Sequence, residues 1–228
     1  MTLTLYYHPL AAFCHKVLVA LYENGTAFEA RLVDLADEAS SAEMMALWPL
    51  GKFPVLRDTA RERTVPETSV IIEYLGLHHP GPIDLLPSDP DLALEVRLWD
   101  RFFDLYVSTP MQKIVGDRLR PVGEGDRMGV EEAKAALQRA YAVVERTMRS
   151  RTWAAGDAFS MADCAAAPAL FYAGIVSPFS RETHPSTAAY FERLVERPSF
   201  ARVLEEARPW LRHFPFHDDV PARFLGAR

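Results

Sequence analysis

Short apolar runs and helical spacings alternate through the first part of the chain. Leu3–Tyr7 combines apolar and β-prone residues in the alternation expected of a strand. The next segment carries apolar residues at helical spacing from Phe13 to Leu21 and ends at Asn24-Gly25, a typical C-cap. By the same criteria, strands are predicted at 3–7, 28–33, 55–56 and 64–65, and helices at 13–23, 40–47 and 67–77.

The order of these elements, β-α-β-α-β-β-α, predicts a thioredoxin-like domain. The first crossover would bring its two strands into a parallel pair. The polar turn at 58–62 would fold the last two strands into an antiparallel hairpin at one edge of the sheet.

The pattern changes at Pro80. Two proline-rich stretches, 80–82 and 87–90, can continue neither a helix nor a strand. No strand signal follows, and helices are predicted at 92–119, 130–149, 160–176, 187–196 and 200–207. We therefore expect an α/β domain at 1–79, a linker at 80–90 and an all-α helical bundle at 91–228.

A capping box marks the head of the third predicted bundle helix. Ser160 stands three residues before Asp163, just ahead of an apolar run, and Phe159 is placed to staple the entry of the chain. Such a cap contributes about 1 kcal/mol. The C-terminal segment 209–228 is too apolar for a free tail, so we expect it to pack over the helical domain or near the mouth of a cleft. An exposed partner-binding tail is the alternative.

Composition narrows the class of function. A net charge of −6 over 228 residues argues against nucleic acid as a partner. The two cysteines, Cys14 and Cys164, form no CxxC and no metal-ligand spacing, which fits a reduced compartment and predicts no metal site. The N-terminus lacks a signal-like segment, and the least polar stretch, 164–176, is shorter than the roughly 20 residues that span a bilayer. The predicted location is cytoplasmic, with no membrane partner.

The candidate chemistry begins at Gly51-Lys52-Phe53-Pro54-Val55-Leu56, where an X-Pro bond opens an apolar strand. Proline at this position cannot donate to a sheet ladder, and a cis peptide bond is expected there. That geometry would turn the backbone N–H and C=O of Phe53 outward, where an extended peptide could pair with them as an added strand.

A second stretch, Pro66-Glu67-Thr68-Ser69-Val70-Ile71, opens a helix with an acid and a hydroxyl. The free N–H groups of the first turn, with the Thr68 hydroxyl, could seat a carboxylate. Glu67 beside them could accept a protonated amine. Simple helix capping explains the same residue types, and the two interpretations are compatible.

GKFPVL followed by PETSVIIEYL resembles the glutathione-binding half of the soluble glutathione transferases, and the resemblance, to a bacterial-type member, covers essentially the whole chain. It implies a cis-proline strand, at Phe53 and Pro54, that pairs with the cysteinyl part of glutathione. It implies that Glu67 and Thr68 bind the γ-glutamyl end and that Lys52 reaches the glycyl carboxylate. The serine–aspartate capping box resembles the folding motif of the family, and a homodimer is implied.

The group that activates the thiol is not indicated by a single residue. In family members that use Ser or Cys, the donor to the thiolate stands where this chain has Ala11, which is followed by another alanine. Three interpretations stay open. Tyr7 could donate, since its spacing to Pro9 and Cys14 is similar to that of tyrosine-type members. Backbone N–H groups at the start of the first helix could hold the thiolate alone. The fold could also serve only as a binding platform.

The resemblance implies that glutathione, as co-substrate, is conjugated to an apolar electrophile, or reduces a peroxide, between the two domains. Tyr106 and Met111 are predicted to wall this acceptor site. The alternative is a non-catalytic ligand-binding or protein-interaction module. Cys14 is expected to be buried in a structural role, and His8 and His15 to be exposed or capping.

Overall fold

A computed structural model of the protein describes residues 2–226. Its sheet has four strands in the order β2-β1-β3-β4. Strand β1 is parallel to β2 and antiparallel to β3, and β3 is antiparallel to β4. The strands are β1 Leu3–Tyr7, β2 Glu29–Leu32, β3 Val55–Asp58 and β4 Arg63–Pro66. The predicted parallel pair and edge hairpin are confirmed.

Three helices complete the first domain: α1 (Ala12–Glu23), α2 (Glu38–Leu47) and α3 (Thr68–His78). One sheet face carries Leu3 and Leu5 into a core shared with α1 and α3. The other face buries Val33 and Val55 against Met44 of α2. The alternation along β1 therefore serves two separate apolar layers, as a strand period of two requires, and the thioredoxin-like prediction is confirmed.

The second domain is helical throughout the part of the chain that the structure describes. Its main helix, α7, is buried along almost its whole length and packs on α1 of the first domain. No helix or strand spans residues 79–89, the stretch between α3 and the next helix, so we keep the division of the chain at this linker as a proposal. The helices are α4 Pro90–Phe102, α5 Thr109–Arg118, α6 Arg127–Met148, α7 Met161–Val176, α8 Pro185–Glu196 and α9 Pro198–Ala207.

The helix predicted at 92–119 is interrupted by a π-helical segment, Phe103–Ser108, that joins α4 to α5. Pro110 lies in the first turn of α5 and has no N–H to continue an ordinary i→i−4 ladder. The hydroxyl of Thr109 instead donates to the carbonyl of Asp104 at 3.0 Å. A single insertion of this kind rotates the residues that follow, and such bulges occur often at functional sites.

The capping box forms at the start of α7, as its sequence spacing predicts. The Asp163 carboxylate accepts from the backbone N–H of Ser160 at 2.9 Å and from its hydroxyl at 3.1 Å. It also accepts from the backbone of Ala154 and from the hydroxyl of Tyr190. Asp163 therefore ties three segments of the helical domain together as well as capping one helix.

The C-terminal segment packs back on the protein as predicted, with residues 227 and 228 outside the described range. Its short helices are Arg208–His213, His217–Asp219 and α10, Ala222–Leu225. Phe214 contacts Tyr172, and Phe224 contacts Phe171, both edge-on. The aromatic side chains of the tail thus extend the core around α7.

Candidate functional site

The first candidate stretch is the loop that enters β3. The peptide bond between Phe53 and Pro54 is cis, as expected. The strand begins at Val55, which pairs with Tyr6 of β1 and with Pro66 of β4. Among residues 2–226, neither the backbone N–H nor the C=O of Phe53 has a hydrogen-bond partner. Both groups are available to an extended peptide.

The second stretch is the start of α3. Glu67 precedes the helix with φ 67° and ψ 118°, a backbone conformation that L residues rarely adopt. Such a conformation costs about 1–3 kcal/mol and persists only where the surrounding structure imposes it. The Glu67 side chain makes no capping hydrogen bond, and the first amide bonded within the helix is that of Ile71. The amides at 68–70 are left for an anion, the group that a helix N-terminus favours.

Both stretches border one cleft of about 340 Å³ between the domains. The cleft brings together five of the predicted glutathione-binding residues, namely Lys52, Phe53, Pro54, Glu67 and Thr68. The rest of its lining comes from α1, from the end of α2 and from the helical domain: Phe13, Trp48, Arg101, Asp104, Leu105, Thr109 and Gln112.

Tyr7 and Ala11 are not part of this lining. Tyr7 is half-buried against the main core. Burial raises the pKa of its hydroxyl, and the nearby Glu206 and Cys14 raise it further. A phenol that stays protonated keeps its hydrogen-bond donor. Ala11 precedes α1 and offers the helix no side-chain cap.

His8 lies in the loop between β1 and α1 and is partly buried, although the sequence predicted it to be exposed or capping. Its ring is stacked with Phe53, with centroids 6.0 Å apart, and meets Trp210 of the C-terminal segment edge-on at 5.7 Å. Its Nδ1 accepts the backbone N–H of Leu10 at 3.1 Å. The neutral ring therefore carries its proton on Nε2, as a donor beside the Phe53 loop. Burial lowers the pKa of His8, against an opposing effect of Asp34.

The two residues predicted for an acceptor site lie apart from each other. Tyr106 is exposed and lines a larger, mainly apolar groove of about 650 Å³ between α4, α5 and α6. Met111 is buried in the helical core, 3% exposed, and lines neither space. The residues that the helical domain contributes to the cleft beside the two stretches are instead Arg101, Asp104, Leu105, Thr109 and Gln112.

A cluster of charges under the cleft was not foreseen from the sequence. Lys16 of α1 is 1% exposed, and its ammonium lies 2.6 Å from Asp100 and 2.7 Å from Asp104. Arg101, which is half-exposed, contacts the same two carboxylates. Burial raises the pKa of Asp104, and Lys16 opposes this effect. The spacing of Asp100 and Asp104 on one helix was the available signal, but the partner is 84 residues or more away on another domain.

The expectation that His15 is exposed or capping is wrong, because α1 is enclosed on all sides. His15 is 1% exposed, and its Nε2 donates to the carbonyl of Pro9 at 2.6 Å. Cys14 is buried, as expected, and its sulfur accepts the backbone N–H of His8. Burial raises the pKa of the Cys14 thiol, and the bond from His8 opposes this effect. A thiol in such surroundings is unreactive.

Within residues 2–226, no group of three or more His, Cys, Asp or Glu side chains is arranged to hold a metal ion. None of the helices described is both long and apolar enough to cross a membrane.

Comparison with known proteins agrees with the sequence resemblance. Residues 5–83 match the model of the glutathione S-transferase N-terminal domain, and residues 99–198 match that of the C-terminal domain. The chain is 30% identical over 190 residues to the glutathione S-transferase-like protein LUC7 of Fusarium sp, covering 82% of this chain and 86% of that protein. It is 28% identical to FtsZ-localized protein A of Caulobacter vibrioides, covering 95% and 97% of the two chains.

Solved structures give the same result. A glutathione S-transferase from Methylobacillus flagellatus, crystallised with glutathione bound, superposes with a TM-score of 0.79. Its sequence is 27% identical, and the match covers 88% of this chain and 98% of that one. Both halves of the chain, their order and their fold are thus accounted for by one family. The chain belongs to the glutathione S-transferase family.

Proposed function

We propose that the protein binds glutathione in the cleft between its domains. The observation that carries the proposal is that two sets of backbone groups without hydrogen-bond partners border the same cleft. These are the N–H and C=O of Phe53 and the free amides at the start of α3, and both border the same cleft of about 340 Å³. An extended peptide with an anionic end uses both features at once.

Each part of the tripeptide has a matching group. The cysteinyl backbone pairs with Phe53 beside Pro54, and Lys52 binds the glycyl carboxylate. The γ-glutamyl carboxylate is held by Thr68 and the α3 amides, and Glu67 accepts its ammonium group. Glutathione in the Methylobacillus flagellatus relative supports this assignment of the ligand.

The proposed reaction is glutathione transfer. The thiolate sulfur donates an electron pair to an electrophilic carbon of an apolar substrate, a C–S bond forms, and the leaving group departs with its bonding electrons. With a peroxide, the thiolate instead attacks one oxygen, the O–O bond breaks and an alkoxide or hydroxide leaves. A second glutathione then displaces water from the resulting sulfenic acid to form the disulfide. Tyr7 remains the proposed donor to the thiolate. The amides at the start of α1 and the Nε2–H of His8 are the alternative donors.

A second candidate is a non-catalytic ligand-binding or protein-interaction role. Ala11 favours it, because the side-chain donor of the serine and cysteine types is missing. The name of the relative FtsZ-localized protein A, which matches nearly the full length of both chains, is also compatible with such a role.

Two measurements distinguish the transferase from the non-catalytic role. Calorimetry tests binding of glutathione, and turnover assays with a chlorodinitrobenzene and with an organic hydroperoxide test catalysis. Binding at micromolar to millimolar concentration together with turnover supports the transferase. Binding without turnover, and with a bound-thiol pKa no lower than in solution, supports the ligand-binding role. No heat of association at millimolar glutathione would refute the whole proposal.

We further propose a homodimer in the cytoplasm. Leu94 and Leu98 are exposed on one face of α4 at i, i+4 spacing, and Val70 and Leu77 are exposed on neighbouring α3. Arg97 joins the two helices through a bidentate pair with Glu73. An exposed apolar face of this kind is typical of an interface between copies. Both cysteines are free thiols, which fits a reducing compartment.

A further inference from the structure

One wall of the cleft comes from the helical domain, and Arg101 and Asp104 line it. The Arg101 side chain is 48% exposed, while that of Asp104 is only 7% exposed. Arg101 is therefore a cation that faces the same space as Glu67 and Thr68, although it belongs to the other domain.

The guanidinium is held along one edge. Its Nε and Nη2 donate to Asp100 Oδ2 at 3.2 and 3.0 Å. Nη2 also contacts the Asp104 carboxylate and the hydroxyl of Ser69. Among residues 2–226, the Nη1 amine has no hydrogen-bond partner. The side chain is thus fixed by one edge and retains free donors at the other.

Lys16 completes the electrostatics of this wall. Its ammonium lies within 2.7 Å of both carboxylates and donates to Ser69 at 3.0 Å. The Asp100 Oδ1 atom that it contacts has no other partner. Two cations and two carboxylates leave the cluster neutral. Without Lys16 the carboxylates would outweigh Arg101, and a net negative wall would repel a carboxylate ligand.

We propose that Arg101 binds the α-carboxylate of the γ-glutamyl head group through its free edge, so that the two domains recognise this group together. Lys16, Asp100 and Ser69 are the residues that position Arg101. The inference rests on the proposed function, and it adds a recognition residue from outside the two sequence stretches that first indicated the site. It also assigns a purpose to a buried lysine that links the domains.

The charges around Arg101 suit a zwitterion. Burial lowers the pKa of Arg101, but the carboxylates of Asp104, Asp100 and Glu67 outweigh this effect and raise it. Glu67 is thus close enough to act on the guanidinium, and it is exposed. A ligand carboxylate at Arg101 with an ammonium at Glu67 adds no net charge to the cleft. A ligand with only one of the two groups leaves one protein charge without its counterpart.

The test is calorimetric binding of three tripeptides to Arg101→Gln. The ligands are glutathione, its γ-aminobutyryl analogue, which lacks the α-carboxylate, and its glutaryl analogue, which lacks the α-amine. Loss of one charge-assisted hydrogen-bond pair predicts a roughly 10- to 100-fold weaker affinity for glutathione and for the glutaryl analogue. Affinity for the γ-aminobutyryl analogue should change by less than about twofold, since that ligand never contacts the guanidinium.

Arg97→Gln is the matched control, because Arg97 lies one turn earlier on α4, pairs with Glu73 and does not line this cleft. It should bind all three ligands as the unsubstituted protein does. Arg101→Lys should recover part of the loss, since it restores the charge without the planar fork.

Three outcomes overturn the inference. Equal losses for all three ligands would mean that Arg101 only supports the fold, and unchanged glutathione binding by Arg101→Gln would remove it from recognition while leaving the proposed function intact. Failure of the unsubstituted protein to bind glutathione would refute the proposed function and this inference with it. A thermal unfolding curve for each variant, matched to that of the unsubstituted protein, excludes loss of folded protein as the cause.

Discussion

The imidazole of His15 should make the stability of this protein fall steeply in mild acid. His15 lies on α1, and its side chain is buried by the surrounding structure. Its Nε2 donates to the Pro9 carbonyl, so Nδ1 of the neutral ring carries no proton and is an acceptor. That atom has no hydrogen-bond partner among the described residues. Protonation would create a buried charge and a buried N–H donor with nothing to accept it.

The magnitude follows from the displaced pKa. Burial lowers the pKa of His15 from 6.5 to about 4, although the bond to Pro9 and the charge of Glu206 oppose it. Each pKa unit corresponds to about 1.4 kcal/mol, so the stability lost on going from neutral pH to about pH 4 is about 3 kcal/mol. The group is fully enclosed, so solvent screening does not reduce this figure.

The sign of the pH dependence follows from proton binding. Between pH 6.5 and about 4 the unfolded chain binds a proton at this residue that the folded chain does not. Above pH 6.5 the free energy of unfolding is therefore not reduced by this residue. It decreases as the pH falls from 6.5 to about 4, and below that value protonation of His15 lowers it no further.

His15→Gln isolates the effect. Glutamine is uncharged at every pH in this window and retains an amide donor that can reach the Pro9 carbonyl. Urea unfolding curves at a series of pH values should give a shallower slope of stability against pH for the variant than for the unsubstituted protein, with a difference of about 3 kcal/mol between the ends of the window. Some loss of stability independent of pH is expected from the altered packing and does not affect the comparison.

His213→Gln, which changes an exposed histidine, is the control and should follow the unsubstituted protein. The titrations of other groups, such as His8 and Asp104, are present in both proteins and cancel in the difference between the variant and the unsubstituted protein. If the curves for the unsubstituted protein and His15→Gln stay parallel from pH 6.5 to 4, the argument from burial is refuted.

Three further outcomes are expected. Tyr7→Phe should raise the thiol pKa of bound glutathione by about one to two units, measured from the ultraviolet absorbance of the thiolate; an unchanged pKa would assign the thiol to the α1 amides or to His8. Asp163→Ala removes the acceptor of four hydrogen bonds and should lower the free energy of unfolding by about 3–5 kcal/mol in urea titrations. The control Asp157→Ala changes an exposed aspartate and should alter this free energy by less than about 0.5 kcal/mol. Equal effects of the two substitutions would contradict the role of the capping box. Leu98→Glu should convert a dimer to a monomer in sedimentation velocity, and a variant that sediments as the unsubstituted dimer would exclude this face of α4 as the interface.

The sequence was sufficient to predict the elements that depend only on residues close together in the chain. The alternation in Leu3–Tyr7 and the proline that opens β3 depend only on neighbouring residues, and the fold places both as expected. The serine and aspartate of the capping box act over three residues, so their contact could be read directly from spacing. The length of the α4–α5 segment was also predicted, but its π-helical register was not, although Pro110 was visible in the sequence.

Other features depended on contacts between distant parts of the chain. A lysine, a histidine and an aspartate in amphipathic helices look alike in sequence whether they face solvent or a second domain. Lys16 is buried because α4 of the helical domain covers it, and His15 is buried because α7 does, as its contact with Tyr172 indicates. The sequence by itself determined the two domains, the strand edge at Phe53 and the open start of α3. Only the tertiary structure decided which charges meet beneath the cleft, because burial and pairing depend on the packing of one domain against the other.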